Sequence, residues 1–150
     1  VWGFFDIFYS PNLHNSYEKG IIGEKAATEY LLSAGFKLVQ HRFKTKWGEI
    51  DIIATRQACS NRKLQEHNHI SSHNLSHNCL HFIEVKHKKS AVTFDNFPVS
   101  NRSMRRIAES AEIFLNMHEK YQTYNIQFDI IILNSPSGRI QYMENIYHGN

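Results

Sequence analysis

The residues that could carry out chemistry lie in two short apolar strings, GEID at positions 48–51 and FIEVK at positions 82–86. Each string is typical of a buried β-strand, in which successive side chains point to opposite faces of the sheet. In the second strand this alternation places Glu84 and Lys86 on one face. In the first strand the two predicted faces are Glu49, Asp51 and Ile53 against Ile50, Ile52 and Ala54.

If the two strands are neighbours, the carboxylates of Asp51 and Glu84 converge on one point, with Lys86 beside them. Charged groups within apolar strands are costly unless they are paired or bind a metal ion. Two carboxylates repel each other, and a Mg²⁺ or Mn²⁺ ion relieves that repulsion through the oxygen ligands that hard cations prefer. Such an ion makes water a better nucleophile, and the lysine could orient that water or neutralise charge on a phosphorane. The alternative is a pair of salt-bridged strand ends, because both strings are short.

A third carboxylate, Glu24, lies on a helix predicted over residues 15–35. Asn15 followed by Glu18 indicates a capping box at the start of the helix, and Gly35 is a typical residue just beyond a helix end. The predicted apolar stripe consists of Ile21, Ala27, Thr28 and Leu31. Glu24 falls on this stripe, so it either pairs with a buried cation or leans over the metal site as an outer ligand.

Together with GExxA at positions 23–27, the two strings resemble the YraN family of small bacterial proteins. Members of that family are predicted endonucleases of the PD-(D/E)xK superfamily, with a core similar to archaeal Holliday junction resolvases. The resemblance runs from about residue 17 to about residue 146, apart from one insertion, and includes RRI at 105–107 and FD at 128–129. It implies that Asp51 and Glu84 are metal ligands, that Lys86 is the catalytic lysine and that Glu24 is a helix-borne acid.

The chain departs from the family pattern at three places. The lysine that usually starts the second long helix is replaced by Ser103, flanked by Arg102 and Arg105, so its role is lost or shifted. The family's Arg-Phe-Asp reads Gln-Phe-Asp at 127–129, and about two dozen residues join the two catalytic strands in place of a short turn. None of these departures touches the four residues that the resemblance marks as catalytic or metal-binding.

Length and composition restrict the class of protein. The 150 residues are 41% hydrophobic, carry a net charge of +3 and include 10 histidines. One globular domain is expected at this length, and a mildly basic chain is compatible with a nucleic-acid partner. No apolar run reaches the ~18 residues of a membrane span and no secretory signal is recognisable. We therefore expect a cytoplasmic protein with no membrane partner and with free thiols at Cys59 and Cys79.

Two segments lie outside the predicted core. Residues 1–14 are aromatic and could form a strap on the core, part of an interface or a loosely held terminus. Residues 56–79 form a polar insertion. Histidine recurs every four residues at His69, His73, His77 and, just beyond the insertion, His81, which on a helix is one face. That face could bind zinc or another metal with Cys59 or Cys79, although the spacing matches no standard zinc pattern; the alternative is a low-complexity segment whose histidines recur by compositional bias.

The second half of the chain supplies basic residues and the rest of the core. The two basic clusters are Lys88 and Lys89, and Arg102, Arg105 and Arg106. They either position phosphates or form an ordinary solvated face. A helix is predicted over 101–121, with an apolar stripe that ends at His118, and strands are predicted over 127–134 and 139–146. Asp129 either supports the site from behind or pairs with an arginine.

The predicted fold is α/β, with the element order α-β-β-β-α-β-β and a mixed sheet flanked by helices, in agreement with a restriction-endonuclease-like core. Residues 15–150 are expected to form a single nuclease-like domain. The leading hypothesis is a Mg²⁺- or Mn²⁺-dependent endonuclease that hydrolyses phosphodiester bonds in DNA, in particular structured or branched DNA. A homodimer would suit a two-fold symmetric substrate. The alternatives are a non-catalytic nucleic-acid-binding or assembly module with the same fold, and a metal sensor built on the histidine-rich insertion.

Overall fold

The computed structural model describes residues 3–5, 16–57, 78–89, 99–134 and 137–146, with the backbone alone at 3–5 and 16–19. The helices are α1 (Ser16–Ser33) and α2 (Asn101–Met117), and a short 3₁₀ helix, Glu119–Tyr121, follows α2. The strands are β1 (Gly3–Phe5), β2 (Lys37–Lys44), β3 (Glu49–Gln57), β4 (Asn78–Lys88), β5 (Asn125–Asn134) and β6 (Arg139–Met143). They form one six-stranded sheet in the order β1-β6-β5-β4-β3-β2. Strands β4 and β5 run parallel, and all other neighbouring pairs are antiparallel.

The predicted fold class, an α/β protein with a mixed sheet between helices, is confirmed. The predicted element order is also found, preceded by β1, which adds an edge strand beside β6. That strand comes from the aromatic segment whose role the sequence left open, and the neighbouring residues 6–14 lie outside the described part. Two predicted ends were too long, because α2 stops at Met117 and β6 stops at Met143. Within the described ranges, neither helix is long and apolar enough to cross a bilayer.

Helix α1 ends as the sequence predicts, at a glycine in the left-handed conformation. Gly35 has a φ of +84°. Its N–H donates to the carbonyl of Leu32 at 3.1 Å, and the N–H of Phe36 donates to that of Leu31 at 3.0 Å. This pair of bonds is a Schellman motif, which satisfies carbonyls that the helix end would otherwise leave unpaired. It turns the chain directly into β2.

The apolar stripe predicted for α1 is wrong at its first position. Ile21 is 44% exposed, whereas Ala27 and Leu31 are buried. The face that packs on the sheet is formed by Gly23, Ala26, Ala27, Tyr30 and Leu31. Relative to the predicted stripe, the helix is rotated so that Gly23 faces the sheet and Ile21 points outward.

The sheet separates two hydrophobic clusters. One lies between the sheet and α1 and includes Ile52, Ile83 and Ile131, and the other lies between the sheet and α2 and includes Ile53, Phe82 and Ile132. Successive residues of β5 from Ile130 to Leu133 alternate between the two clusters. A central strand covered on both faces must be continuously apolar, which is the pattern in the sequence.

Helix α2 packs as its stripe predicts, with Met104, Ile107, Ala111 and Phe114 buried. Its N-cap is Ser100, whose side chain accepts a hydrogen bond from the N–H of Ser103. At the other end, the His118 ring stacks on Phe114 with 4.1 Å between centroids. His118 is therefore a packing residue, as predicted.

The histidine-rich insertion falls mostly outside the described residues, and so do Cys59, His69, His73 and His77. His81, the last histidine of the four-residue repeat, lies in β4 and is fully buried. A helical metal-binding face that includes His81 is therefore wrong, because residue 81 is part of a strand that pairs with β3 and β5.

Candidate active site

Strands β3 and β4 separate at the two predicted metal ligands. Their antiparallel pairing runs from Gln57 opposite Asn78 to Ile52 opposite Ile83, and Asp51 and Glu84 occupy the next position on each strand. Instead of a backbone partner, the N–H of Val85 has the side chain of Asp51, whose Oδ2 accepts it at 2.7 Å. The sheet therefore opens where the two carboxylates lie, and Asp51 fills the position of a missing backbone acceptor.

The regular alternation predicted for the first strand is wrong at Asp51. Ile52 packs with the α1 cluster, as Ala54 does, but Ile50 packs with Ile53 in the α2 cluster. Opposite this point, Arg42 of β2 has a φ of +49°, a conformation that is uncommon for a residue with a side chain. The distortion of the two strands changes which face each side chain points to, and it turns Asp51 toward β4 rather than toward a neighbouring layer.

The predicted faces of β4 agree with the structure. Ile83 and Val85 pack toward α1, while Glu84 and Lys86 point to the side of α2, where the Nζ of Lys86 is paired with Oε1 of Glu84. A cleft of about 180 Å³ lies there between the sheet and α2. Its lining residues are Gly48, Glu49, Glu84, Lys86, Ser103, Arg106 and Ile107. The cleft is thus lined by two carboxylates and two cations beside the place where β3 and β4 part.

The surroundings of Asp51 disfavour the ionised form of its carboxyl group. Burial, together with the negative charges of Glu84 and Glu24, raises the pKa of Asp51 to about 7, against the opposing effects of the Val85 N–H and Lys86. A charge that the fold destabilises to this extent is frequent at functional sites, because purely structural carboxylates are usually given partners.

Glu24 reaches the site from α1, and a glycine makes that approach possible. A β-carbon at Gly23 would lie 2.1 Å from Nε2 of His87 and 2.7 Å from Cδ1 of Leu133, so α1 contacts the sheet through bare backbone. The Glu24 side chain is 18% exposed, and its Oε2 lies 3.9 Å from Nε of Arg42. Glu24 thus has a partly exposed cation, Arg42, nearby and acts electrostatically on Asp51, and its predicted role as an outer metal ligand stays a prediction.

A network that the sequence prediction did not assign surrounds Glu49. Its Oε1 accepts a hydrogen bond from Nε of Arg42 at 2.7 Å, and its Oε2 lies 3.4 Å from Nζ of Lys44. Desolvation alone would raise the pKa of Glu49, but the hydrogen bonds and charges of Arg42 and Lys44 lower it below its usual value. Glu49 therefore stays ionised and keeps two cations at the edge of the cleft. The sequence feature that could have indicated this network is the position of Glu49 in the GEID string, at the start of a predicted strand.

The two basic clusters are placed differently. Arg106 lines the cleft, whereas Arg102 and Arg105 are exposed on the first turns of α2. Lys88 is the last residue of β4, two residues beyond Lys86, and Lys89 follows it as an exposed residue. Of the predicted phosphate contacts, Arg106 is the one that lies with Glu84 and Lys86 in the cleft. Ser103, at the position where the resemblance led us to expect a lysine, lines the same cleft.

The oxygen ligands at the site suit a hard cation. Asp51 and Glu84 are adjacent enough for one charge to raise the pKa of the other, and a divalent ion would remove that repulsion. In the part of the chain that the structure describes, no group of three or more His, Cys, Asp and Glu side chains is positioned to hold a metal ion. A Mg²⁺ ion needs no such cage, because it commonly uses one or two carboxylates and keeps several waters.

A second buried carboxylate lies on the other face of the sheet. Asp129 is 1% exposed, and each hydrogen-bond partner that it has among the described residues can act as a donor. Its Oδ2 bonds to Nδ1 of His81 and to the hydroxyl of Tyr142, each at 2.6 Å, and its Oδ1 accepts the N–H of Asn145 at 2.8 Å. These contacts differ from both predicted roles, because Asp129 has no hydrogen bond to an arginine among the described residues and does not line the cleft.

Comparison with known proteins identifies the family. The model of the uncharacterised protein family UPF0102 matches residues 23–133, a span that begins at Gly23 and includes Asp51, Glu84 and Lys86. The chain belongs to this family. The resemblance to the YraN family is thereby confirmed, since this is the same family. No activity is part of the family's description.

Three UPF0102 relatives show how far the similarity extends. A UPF0102 protein of Ehrlichia chaffeensis is 31% identical over 81% of this chain and 80% of its own length. One from Fervidobacterium nodosum is 32% identical over 83% of this chain and 78% of its own, and one from Rhodopseudomonas palustris is 27% identical over 83% and 76%. The similarity therefore covers most of the length of each relative.

Proposed function

We propose that this UPF0102 chain is a metal-dependent endonuclease that hydrolyses phosphodiester bonds in DNA. The observation that carries the proposal is the pair of carboxylates, Asp51 and Glu84, at the point where β3 and β4 separate. The raised pKa of Asp51 reflects an arrangement that destabilises the metal-free site. A nuclease that binds a divalent cation has a use for such an arrangement, whereas a structural core has none.

In this proposal each residue of the site has one task. Asp51, Glu84 and, from α1, Glu24 supply the negative charge that holds Mg²⁺ or Mn²⁺, and Val85 fixes the orientation of Asp51 through its N–H. When bound, the cation would polarise the scissile phosphate and acidify the attacking water. Lys86, released from Glu84, would stabilise the charge that develops on the phosphate oxygens.

The cleft between β4 and α2 gives the DNA backbone a place to bind. Arg106 lines the cleft beside Lys86, and Arg102, Arg105, Lys88 and Lys89 extend the positive charge on either side. Phosphate contacts of this kind fix the position of a nucleic acid without reading its sequence. DNA binding should therefore weaken steeply as the salt concentration rises.

The test is a cleavage assay of the purified protein and its Asp51→Ala variant. The substrates are linear duplex, single-stranded, flapped and four-way-junction DNA, each with Mg²⁺, with Mn²⁺ and with chelator. Cutting by the wild type that needs metal and that Asp51→Ala and Glu84→Ala both lose is the expected result. Glu29→Ala, which removes an exposed carboxylate of α1, serves as the matched control and should cut like the wild type. Full activity in the Asp51→Ala variant would rule out the assigned site.

A second candidate function is a DNA-binding or assembly module that keeps the nuclease fold without catalysis. The observation in its favour is Ser103, which lines the cleft where the family usually has a lysine. In that case all variants should bind DNA in a salt-sensitive way with chelator present, and none of the substrates should be cut. A homodimer is compatible with either function, and light scattering with and without junction DNA would measure it.

A further inference from the structure

An exposed aromatic side chain stands directly beside the cleft. Trp47 is 43% exposed and precedes Gly48 and Glu49, both of which line the cleft. It lies in the turn that joins β2 to β3. Single exposed apolar residues are common on protein surfaces, so exposure alone means little here. What distinguishes Trp47 is how firmly the turn is held and which charges surround it.

Hydrogen bonds hold the turn that carries Trp47. The N–H of Thr45 donates to the carbonyl of Gly48 at 2.8 Å, and Oγ1 of Thr45 accepts the N–H of Trp47 at 3.1 Å. The same hydroxyl lies 2.8 Å from Oγ of Ser110 on α2. The turn is thus tied to itself and to the helix on the far wall of the cleft.

An arginine of the cleft also holds the tryptophan backbone. Nε of Arg106 donates to the carbonyl of Trp47, and Gly48 allows the close approach, since a β-carbon there would lie 3.2 Å from Nη2 of Arg106. The indole side chain itself is not buried by these contacts. Arg106 therefore couples the position of the ring to the cleft in which the phosphate is proposed to bind.

The charges around the ring suit a nucleotide. The ammonium of Lys46 lies over the Trp47 ring, 5.1 Å from its centroid, and Arg106, which donates to the backbone carbonyl of Trp47, lines the cleft. An aromatic ring with one cation over it and another in the adjacent cleft matches a nucleobase joined to its phosphate. Bases stack on such aromatic side chains irrespective of sequence, and the cations contact the backbone.

We infer that Trp47 is a base-stacking subsite, so that the DNA taken by the cleft has an unpaired base next to the bound phosphate. This inference rests on the proposed function and narrows its substrate class. A ring held by the β2–β3 turn must meet the face of a base, and in an intact duplex the faces are covered by stacking while only the edges are open in the grooves. Flapped, branched and single-stranded DNA expose such faces without the cost of unstacking.

The test compares DNA binding by Trp47→Ala, Trp47→Phe and Leu32→Ala, with chelator present so that nothing is cut. The ligands are a blunt duplex, the same duplex with a single-stranded flap, and the single strand alone. Leu32 is the matched control because it is 52% exposed and lies on α1, outside the cleft. We expect Trp47→Ala to weaken binding of the flapped and single-stranded DNA by roughly 5- to 150-fold and blunt duplex by less than about twofold, and Trp47→Phe to retain most of the affinity.

A second measurement uses the fluorescence of Trp47 itself. The chain has 2 tryptophans, so a Trp2→Phe variant leaves Trp47 as the single indole. Stacking on a base should quench its emission with flapped and single-stranded DNA and leave it almost unchanged with blunt duplex. Circular dichroism of all variants checks that each is folded.

The outcomes separate this inference from the proposed function. Equal loss of affinity for all three ligands, or no loss, would overturn the stacking subsite even if the wild type cuts DNA. Selective loss and quenching with no cleavage by the wild type would keep the subsite and overturn the nuclease. Failure of the wild type to bind any DNA would overturn both.

Discussion

Two buried aspartates occupy the same sheet, and the protein treats them in opposite ways. Asp129 has donors on both oxygens, from His81, Tyr142 and Asn145. Asp51 has one hydrogen-bond donor among the described residues, the Val85 N–H, and two carboxylates that oppose its ionisation. The first arrangement is what a stable interior requires, and the second is relieved by a proton or, in the proposed function, by a bound cation.

The contrast separates a carboxylate whose hydrogen bonds stabilise the fold from one whose surroundings oppose its charge. Around Asp129, burial and the negative charge of Asp129 raise the pKa of Tyr142, so its hydroxyl remains a donor throughout the accessible pH range. Around Asp51, the strands part and the neighbouring cleft contains Lys86 and Arg106. The fold gives Asp129 hydrogen-bond donors and leaves Asp51 beside two other carboxylates. An unfavourable arrangement of this kind is expected at functional sites.

The largest expected effect is a loss of stability, and it tests the structural role of Asp129. Asp129→Ala leaves the buried Nδ1 of His81 and the hydroxyl of Tyr142 without their shared acceptor, at about 1–3 kcal/mol for each group. We expect the free energy of unfolding to fall by about 4 kcal/mol, measured by urea denaturation. Asp51→Asn is the matched control and should lose almost nothing in the same experiment. Equal losses at the two positions would contradict the division into a structural and a functional carboxylate.

The next largest effect is a loss of turnover in a Lys86 variant, and it separates metal binding from catalysis. Lys86→Ala removes the cation that pairs with Glu84, so Mg²⁺ affinity should be kept or slightly increased. Turnover should fall by about a hundredfold, because the lysine is proposed to stabilise charge in the transition state. Isothermal titration with Mg²⁺ and single-turnover cleavage measure the two quantities.

The control for Lys86 is a neighbouring lysine on the same strand. Lys88→Ala removes a charge two residues further along β4, on the same face by alternation. This variant should change mainly the salt dependence of DNA binding and leave single-turnover cleavage at saturating DNA close to the wild type. If both variants lose turnover equally, Lys86 has no special role.

The pH dependence of stability gives a third test, with a definite sign. In the metal-free folded protein the pKa of Asp51 is raised to about 7 from 3.8, so the folded state binds the proton more tightly than the unfolded state. The contribution of Asp51 to the free energy of unfolding must therefore decrease as the pH rises from about 4 to about 7 and change no further above it. Because Asp51 is partly accessible to solvent, we expect a loss on the order of 2 kcal/mol relative to Asp51→Asn.

Adding metal should reverse this loss. Metal binding competes with the proton, so Mg²⁺ should stabilise the wild type more at pH 8 than at pH 5, and the Asp51→Asn variant little at either. Thermal unfolding with and without Mg²⁺ at the two pH values measures the difference. A wild type and a variant with the same pH profile would show that Asp51 is not the strained carboxylate.

The sequence was sufficient to predict the two helices and the strands β2 to β6, because local sequence patterns determine these elements. The apolar run of β5 indicates a strand covered on both faces, and Gly35 marks the end of α1. The sequence also marked Asp51, Glu84 and Lys86 as candidate residues, since charged residues within apolar strands stand out, and the structure brings them together. Alternation along β4 was correct because that strand lies in the middle of the sheet and is regular.

The remainder depends on tertiary contacts. The change of face between Ile50 and Ile52 goes with the positive φ of Arg42 on the neighbouring strand, which no period-two rule contains. The exposure of Ile21 follows from the rotation of α1 that brings Gly23 onto β4. The role of His81 could not be predicted, because its hydrogen-bond partner Asp129 on β5 is distant in sequence and the histidine repeat suggested another explanation.

The smallest expected effect tests whether the contact of Gly23 with the sheet positions Glu24 of α1 near Asp51. Gly23→Ala would place a methyl group 2.1 Å from Nε2 of His87 and 2.7 Å from Cδ1 of Leu133, so the helix or the imidazole must move. We expect a loss of about 1 kcal/mol in the free energy of unfolding, below the usual cost of an extra buried methyl because the imidazole can shift, and slower cleavage because Glu24 is displaced.

Gly20→Ala is the control on the same helix. A β-carbon at Gly20 meets nothing within 4 Å, so alanine should stabilise the protein by about 0.5–1 kcal/mol through helix propensity alone and leave cleavage unchanged. The double variant Gly23→Ala/His87→Ala should recover part of the loss, because it removes the ring that the methyl group meets. If Gly23→Ala stabilises the protein as Gly20→Ala does, the close approach of α1 is not what positions Glu24, and its effect on Asp51 must be tested by Glu24→Gln alone.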